Sequence, residues 1–238
     1  MIAITLPDGS VREFENELTV LDVAKDISEG LARNVLSARF NDTIIEASTV
    51  ITSSGELKLF TWNDDEGKAA FWHSSAHVLA QSILALYPEA KLTIGPAIEN
   101  GFYYDVDFGD VAFSENDLRK LEQQFLTFAR QKFEFKMRDS SKADALAVYK
   151  NENNPFKVEL IENLEDGTIT FCDHSDFTDL CRGGHLPNTG FIKAIKLLSV
   201  AGAYWRGDEK KNTTYKNIWN FISKTKRTYC LFRTFRRG

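Results

Sequence analysis

The chain has 238 residues, of which 43% are hydrophobic and 26% are charged, and its formal net charge is −5 at pH 7. This composition is typical of a globular protein with one large or two small domains, and the acidic balance argues against nucleic-acid binding through overall charge, although a local basic patch would suffice. The sequence has no apolar run of membrane-span length, no signal-peptide pattern and an odd number of cysteines, three, which together predict a cytoplasmic protein without membrane association or a disulfide framework.

The first sixty residues predict a small sheet that packs against one helix. Residues 2–6 and 11–14 alternate as two strands around the turn Pro7-Asp8-Gly9-Ser10. Thr19 is a plausible N-cap for an amphipathic helix that runs to Ile27. Three further strands are predicted at residues 36–40, 43–46 and 56–60. A hairpin, a helix and further strands in this order indicate a β-grasp, or ubiquitin-like, unit.

An acidic segment, residues 64–67, marks the next boundary and precedes a long helix that Pro88 ends. Residues 93–107 predict two strands joined by the Asn100-Gly101 turn. Ser114 is expected to cap a second amphipathic helix through about residue 131. Shorter elements follow: strands at residues 133–137, 168–171 and 191–200, and helices at residues 142–150 and 156–161.

Two short motifs contain three of the four histidines. His73 and His77 lie four residues apart on the long helix and therefore share one face, and Cys181 and His185 repeat the same spacing. Either motif alone is more often structural than functional. Together they supply the ligand types of a tetrahedral zinc site, or the side chains of a metal-free hydrolytic site. The sequence therefore predicts a functional site at this cluster.

Five motifs occur in an order that resembles the N-terminal half of a bacterial threonyl-tRNA synthetase, from residue 1 to about 209: residues 73–77, 94–96, 101–105, 179–185 and 201–208. Within this region, residues 6–10 and 22–24 resemble the TGS domain. The resemblance implies an α+β fold, with a TGS β-grasp domain at residues 1–62 and a mixed α+β editing domain of the threonyl/alanyl-tRNA synthetase type at residues 63–209. One position departs from the pattern, because Gly184 stands where the family more often has proline.

In that family this region removes serine that has been attached by mistake to tRNA(Thr), so the expected partner is the tRNA acceptor end that carries serine. The resemblance assigns Asp179 to the substrate ammonium, with Tyr104 also in substrate binding. It assigns His73 or a neighbouring imidazole to the attacking water or the leaving ribose oxygen, and Lys157 to the ribose or to developing negative charge. Cys181 and His185 would shape the serine pocket, and His77 completes the implied catalytic set. From its residue type alone, Lys157 would be a solvated surface lysine, and a covalent role for Cys181 is a rival interpretation.

The resemblance implies no obligatory metal, although related alanyl-tRNA editing proteins bind zinc with the same ligand types. If zinc binds here, its ligands would be His73, His77, Cys181 and His185. Two alternative functions stay open: a stand-alone zinc-dependent trans-editing deacylase and a non-enzymatic tRNA-binding or regulatory fragment. ATP and the catalytic zinc of aminoacylation belong to a synthetase core that is not expected in this sequence, so we expect a hydrolase without ligase activity.

The stretch at residues 210–238 does not continue the resemblance. Its arginines, lysines and aromatics would suit a basic tail that binds tRNA. When it is back-translated with permitted codons and read one nucleotide later, it resembles the continuation of the synthetase family. We therefore interpret it as an aberrant, frameshifted tail, and we expect the chain from about Lys211 onward to pack poorly and to have no function.

Overall fold

The structure is a computed structural model that describes residues 1–111, 113–203 and 218–224. By compactness it divides into two units. The first contains Met1–Ser74 and Gly183–Asn188, and the second contains Ser75–Arg182 and the described residues from Thr189 onward. The domain limits predicted from sequence follow a different criterion and stay a prediction. Within the described ranges, no helix is long and apolar enough to span a bilayer.

The first unit contains a five-stranded mixed sheet in the order β2-β1-β7-β4-β5, with β1 parallel to β7. Its elements are β1 (Ile2–Thr5), β2 (Val11–Phe14), β3 (Leu18–Thr19), α1 (Val20–Ile27), α2 (Glu29–Ala32), β4 (Ser37–Phe40), β5 (Thr43–Ile45), β6 (Val50–Ile51) and β7 (Gly55–Phe60). The short strands β3 and β6 pair with each other. This arrangement confirms the predicted β-grasp unit.

Helix α1 begins where the sequence places its cap. The Thr19 side chain accepts a hydrogen bond from the backbone N–H of Asp22, and the Asp22 carboxylate accepts one from the backbone N–H of Thr19. This reciprocal capping box satisfies two donors that the helix end would otherwise leave unpaired. Val20, Val23 and Ala24 are buried on the inner face, so the cap also fixes the register of the core contact.

Helix α3 (Asp65–Leu86) is the longest element, and it is buried around most of its middle turns. Gly67 allows it to start close to the preceding strand, because a Cβ there would lie 2.0 Å from the carbonyl oxygen of Thr61. The helical spacing of Trp72, Ala76, Leu79, Ile83 and Leu86 predicts one apolar face. The first four are buried, but Leu86 is 37% exposed, so the prediction is wrong for that residue. Burial around the circumference marks a central helix rather than a surface one.

The second unit combines two antiparallel sheets with helices. Its elements are β8 (Lys91–Leu92), β9 (Ala97–Ile98), β10 (Gly101–Asp107), α4 (Leu118–Arg130), β11 (Lys136–Asp139), α5 (Lys142–Asn151), α6 (Pro155–Glu162), β12 (Thr170–His174), β13 (Phe177–Leu180), β14 (Lys196–Ala203) and β15 (Ile218–Lys224). One sheet has the order β14-β15-β10-β8 with β9 beside β10, and the other has the order β11-β12-β13. Together with the first unit, this confirms the α+β class.

Two expectations for the second unit need correction. The strand β13, which ends immediately before Cys181, was not predicted from the sequence. The described part of the tail also differs from expectation, because the backbone of β15 pairs with β10 on one side and with β14 on the other. The expectation of poor packing from about Lys211 is therefore wrong for the backbone of Ile218–Lys224. The rest of the tail lies outside the described residues.

Candidate functional site

In the first unit, helix α3 carries His73 to the segment Gly183–Asn188. The ring centroids of His73 and His185 lie 4.8 Å apart with an interplanar angle of 39°, and His185 is fully buried. The backbone N–H of Leu186 donates to the Oγ of Ser74 at 2.9 Å, which attaches the segment to the helix. The structure therefore brings together two of the predicted site histidines, 112 residues apart in the chain.

The loop before His185 is held by Glu46, a residue outside the motifs of the sequence. Oε1 of Glu46 accepts from the backbone N–H of Gly184 at 3.0 Å and lies 3.1 Å from Nδ1 of His185. Burial alone would raise the pKa of Glu46, but the hydrogen bond and charge of His185, together with backbone N–H donors, outweigh it and lower the pKa. Glu46 is therefore a charged acceptor near neutral pH.

Gly184 has a clear structural reason to differ from the family's proline. Gly183 and Gly184 both have positive φ values, 89° and 83°. Proline is confined to φ near −65° and has no N–H, so it fits neither the backbone nor the bond to Glu46. The hydrogen bond from the Gly184 N–H to Glu46 anchors this loop.

In the second unit, the carboxylate of Asp179 is the centre of a buried polar network. Nζ of Lys157 lies 2.6 Å from Oδ1, and both side chains are at most 6% exposed. The hydroxyl of Tyr104 donates to Oδ2 at 3.0 Å, and that of Tyr149 donates to Oδ1 at 3.3 Å. The backbone N–H of Leu180 adds a further bond to Oδ1 at 2.8 Å. This network brings together the predicted residues Tyr104, Lys157 and Asp179.

The two phenol hydroxyls of this network are lasting hydrogen-bond donors to Asp179. Burial, followed by the negative charge of Asp179, raises the pKa of Tyr104 well above its usual 10.0, and the same two causes raise that of Tyr149. Both hydroxyls therefore stay protonated and keep donating to the carboxylate at any physiological pH. Tyr149 was missed in the sequence, where it is one more aromatic residue of helix α5.

Lys157 reaches Asp179 because of the way helix α6 begins. The Asn154 side chain accepts from the backbone N–H of Lys157 at 3.2 Å, and its amide donates to the carbonyl of Leu92 at 2.8 Å. Pro155 occupies the first turn, where its missing N–H costs nothing. The residue type alone suggested a solvated lysine, which is wrong, since Lys157 is only 3% exposed.

The imidazole of His77 lies beside both Cys181 and Asp179. Its Nε2 is 3.4 Å from the Sγ of Cys181, and its Nδ1 is 3.6 Å from Oδ2 of Asp179. His77 and Cys181 are buried, and neither Cys181 nor Cys172 forms a disulfide. A thiol and an imidazole at this separation can act as a donor–acceptor pair or as two ligands of one metal ion.

The four residues that the sequence predicts as possible zinc ligands have the composition of a zinc site. His73 and His185 belong to the first unit, and His77 and Cys181 belong to the second. Three imidazoles and one thiolate are ligand types that zinc accepts, so the chemistry of these residues fits the metal.

Comparison with known proteins gives two domain matches. Residues 2–61 match the TGS domain, and residues 169–215 match the threonyl and alanyl tRNA synthetase second additional domain. The first match covers the β-grasp sheet, and the second covers β12, β13 and the Cys181–His185 segment. These matches and the fold define the class of protein, a TGS domain joined to an editing-type domain of aminoacyl-tRNA synthetases.

Individual relatives show which aminoacyl-tRNA synthetases this chain is similar to. Over 210 residues, 88% of this chain, it is 64% identical to the threonine–tRNA ligase of Flavobacterium psychrophilum and 66% identical to that of Flavobacterium johnsoniae. It is 48% identical over 227 residues to the threonine–tRNA ligase of Clostridioides difficile. The chain belongs to the threonyl-tRNA synthetase family and corresponds to the region with the TGS and editing-type domains. It spans about a third of the length of these relatives, 32% for the two Flavobacterium enzymes and 35% for the third.

Proposed function

We propose that the chain hydrolyses the ester that joins serine to tRNA(Thr), as an editing hydrolase of the cytoplasm that acts on the tRNA acceptor end. The observation that carries this proposal is the buried Asp179 carboxylate, which Lys157 and two phenols surround at 2.6–3.3 Å. Such a carboxylate suits an amino-acid ammonium group, because a buried charge needs a charged or strongly donating partner.

The need for this reaction follows from substrate chemistry. Serine lacks one methyl group of threonine, so a synthetic site cannot exclude it by size. A missing methyl group gives only about 10–200-fold discrimination, and a second site that hydrolyses the smaller product improves on it. The relatives' name, threonine–tRNA ligase, is consistent with a need to reject serine.

The Asp179 carboxylate already accepts several hydrogen bonds and has little capacity for another donor. Lys157 must therefore move when a substrate ammonium binds. Oδ1 already receives Lys157, Tyr149 and the Leu180 N–H, while Oδ2 receives Tyr104. An incoming substrate ammonium therefore replaces the Lys157 ammonium on Asp179. The displaced Lys157 Nζ is then available to the ribose or to the oxygen of the tetrahedral intermediate, where it stabilises developing negative charge.

The chemical step requires an activated water and a protonated leaving group. His73 accepts a proton from the water whose oxygen attacks the ester carbonyl carbon. The carbon–oxygen bond to the ribose then breaks, and the ribose oxygen takes a proton from the imidazolium. Serine leaves with a carboxylic acid group, which then ionises, and the tRNA regains its terminal hydroxyl. Water supplies both the attacking oxygen and the transferred proton, so no covalent intermediate on Cys181 is needed.

We assign the selection of serine to a small space beside His77 and Cys181, which are both buried and lie 3.4 Å apart. An extra methyl group in a space of this kind must displace a wall atom, and tight packing makes that costly. Threonine is therefore held in a less reactive position than serine.

Replacement of His73 by Ala tests the proposal. We expect at least a 100-fold loss of Ser-tRNA(Thr) hydrolysis, the typical contribution of a general base, with little change in stability because His73 is only partly buried. Lys68→Ala on the same helix is the matched control, since Lys68 pairs only with the exposed Asp65 in the described contacts. Equal hydrolysis by the His73→Ala, Lys68→Ala and unchanged proteins would contradict the proposed site.

The ligand chemistry of the histidine and cysteine residues supports one further candidate, a zinc-dependent deacylase. If zinc binds, His73, His77, Cys181 and His185 would hold the ion, which would make a coordinated water more acidic. Metal analysis of the purified chain and rate measurements after chelation separate the candidates. A rate that survives complete removal of zinc supports the metal-free reaction, whereas a rate lost on chelation and restored by zinc supports the metal-dependent one.

A further inference from the structure

Glu46 places a carboxylate from the N-terminal β-grasp fold against an imidazole of the candidate site. It directly follows β5, and its side chain is 13% exposed. His185 is fully buried and belongs to the same compact unit. The two residues are 139 positions apart in the sequence, so the contact depends entirely on tertiary structure.

The geometry fixes which ring nitrogen carries the proton. A carboxylate accepts hydrogen bonds and donates none. Oε1 of Glu46 lies 3.1 Å from Nδ1 of His185 and receives the Gly184 N–H as well. Nδ1 must therefore be the protonated nitrogen, and in a neutral ring Nε2 keeps its lone pair. Carboxylates that hold histidines in this way set both the tautomer and the ring orientation in functional sites.

We propose that Glu46 is a positioning residue for the editing site, in which the TGS domain sets the tautomer and orientation of His185. The inference rests on the proposed function, because His185 is taken as part of the site. His185 in turn packs against His73, with the ring centroids 4.8 Å apart. A fixed His185 therefore restricts the position of His73, the residue to which we assign the proton transfer.

The bond from Gly184 makes the arrangement more rigid than a single side-chain contact would. Because Gly184 donates to the same oxygen, Glu46 fixes the backbone and the ring of adjacent residues together. A positive φ of 83° and a free N–H are both required at Gly184. Gly184→Pro removes both, so it should reproduce the effects of changing Glu46.

The test compares Glu46→Gln with Glu46→Asp and with the control Glu56→Gln, an exposed glutamate on β7 of the same sheet. Nitrogen-15 NMR of the imidazoles in metal-free protein reports the tautomer directly, and with four histidines in the chain, single replacements assign the signals. We expect His185 to be the Nδ1–H tautomer in the unchanged protein and in Glu56→Gln. In Glu46→Gln the Nε2–H form should become populated.

Kinetics supply the second measurement. Loss of an orienting carboxylate typically lowers activity by about 10–100-fold. We expect Glu46→Gln to lower kcat for Ser-tRNA(Thr) hydrolysis about 10-fold with KM nearly unchanged, and Glu46→Asp to recover part of that loss. An Nε2–H tautomer in the unchanged protein, or an unaltered spectrum and rate in Glu46→Gln, would overturn the inference. If the unchanged protein has no hydrolase activity, the proposed function fails, while the NMR result still decides the role of Glu46.

Discussion

At the scale of single residues, burial places ordinary side chains in the candidate site. Lys157 has no sequence feature that separates it from the other lysines, yet the structure encloses it beside Asp179 at 2.6 Å. The Asn154 cap explains this placement locally, but the partner strand β13 comes from a region whose pairing the sequence did not reveal. His73, His77, Cys181 and His185 could be named as candidate site residues because their spacing and chemistry are visible in the sequence. Glu46 and Tyr149 were not, because their roles depend on distant partners.

Tyr104 provides a pH prediction at this scale. Since burial and Asp179 raise its pKa well above 10.0, the neutral phenol is favoured in the folded protein. Its stabilising contribution is therefore complete below pH 10 and is lost as the pH rises above that value. In a spectrophotometric titration to about pH 10.5, folded Tyr104→Phe should show the same tyrosinate absorbance change as the unchanged protein.

The denatured proteins are the control for this titration. In denaturant every tyrosine titrates near its usual pKa, so Tyr104→Phe should then show one tyrosine fewer of the seven in the chain. A decrease of the same size in the folded protein would mean that Tyr104 ionises normally. That outcome would contradict the buried hydrogen bond to Asp179.

At the scale of elements, the strand β10 and the segment before it explain how Tyr104 is positioned. A Cβ on Gly95 would lie 2.2 Å from Cδ2 of Tyr104, so only glycine lets the ring lie against this backbone. The backbone bond from Asp105 to the Ile94 carbonyl, 2.9 Å long, keeps the segment close to the strand. The Ile94-Gly95-Pro96 motif is visible in the sequence, but the packing of the Tyr104 ring against Gly95 is not.

Gly95→Ala should therefore damage the site more than its size suggests. The added methyl group must displace the Tyr104 ring or the backbone, and overpacking of this kind costs about 1–3 kcal/mol. Displacement of the ring also lengthens its bond to Asp179, so serine hydrolysis should fall. Urea denaturation and single-turnover rates measure the two effects.

Gly30→Ala is the matched control for that substitution. Gly30 lies in helix α2, and a Cβ there would lie no closer than 3.9 Å to any neighbouring atom. Alanine in a helix is favoured over glycine by about 0.5–1 kcal/mol, so this variant should be as stable as the unchanged protein or more so. Equal stability in urea and equal single-turnover rates for Gly95→Ala and Gly30→Ala would show that Gly95 is not required for the position of Tyr104.

At the scale of the whole chain, the fold class and both domain types could be predicted because ordered motifs and alternating strands are local features of the sequence. The strands of the β-grasp sheet were placed within a few residues. The hairpin predicted at Asn100-Gly101 is also present, but its two turn residues are Glu99 and Asn100, because Gly101 already pairs with Ile98 in β10. Two outcomes could not be predicted. β13 is a four-residue strand whose pairing is tertiary, and β15 lies in a stretch without clear alternation that nevertheless pairs on both sides.

The central claim is that this chain discriminates serine from threonine on tRNA(Thr) by hydrolysis. The most direct measurement is the single-turnover rate of the purified chain on Ser-tRNA(Thr) and on Thr-tRNA(Thr), in the same buffer with a chelator present. We expect the serine ester to be hydrolysed at least 10-fold faster than the threonine ester, the smallest ratio that one methyl group gives. Equal rates for the two esters, or no acceleration of either over buffer alone, would contradict the account.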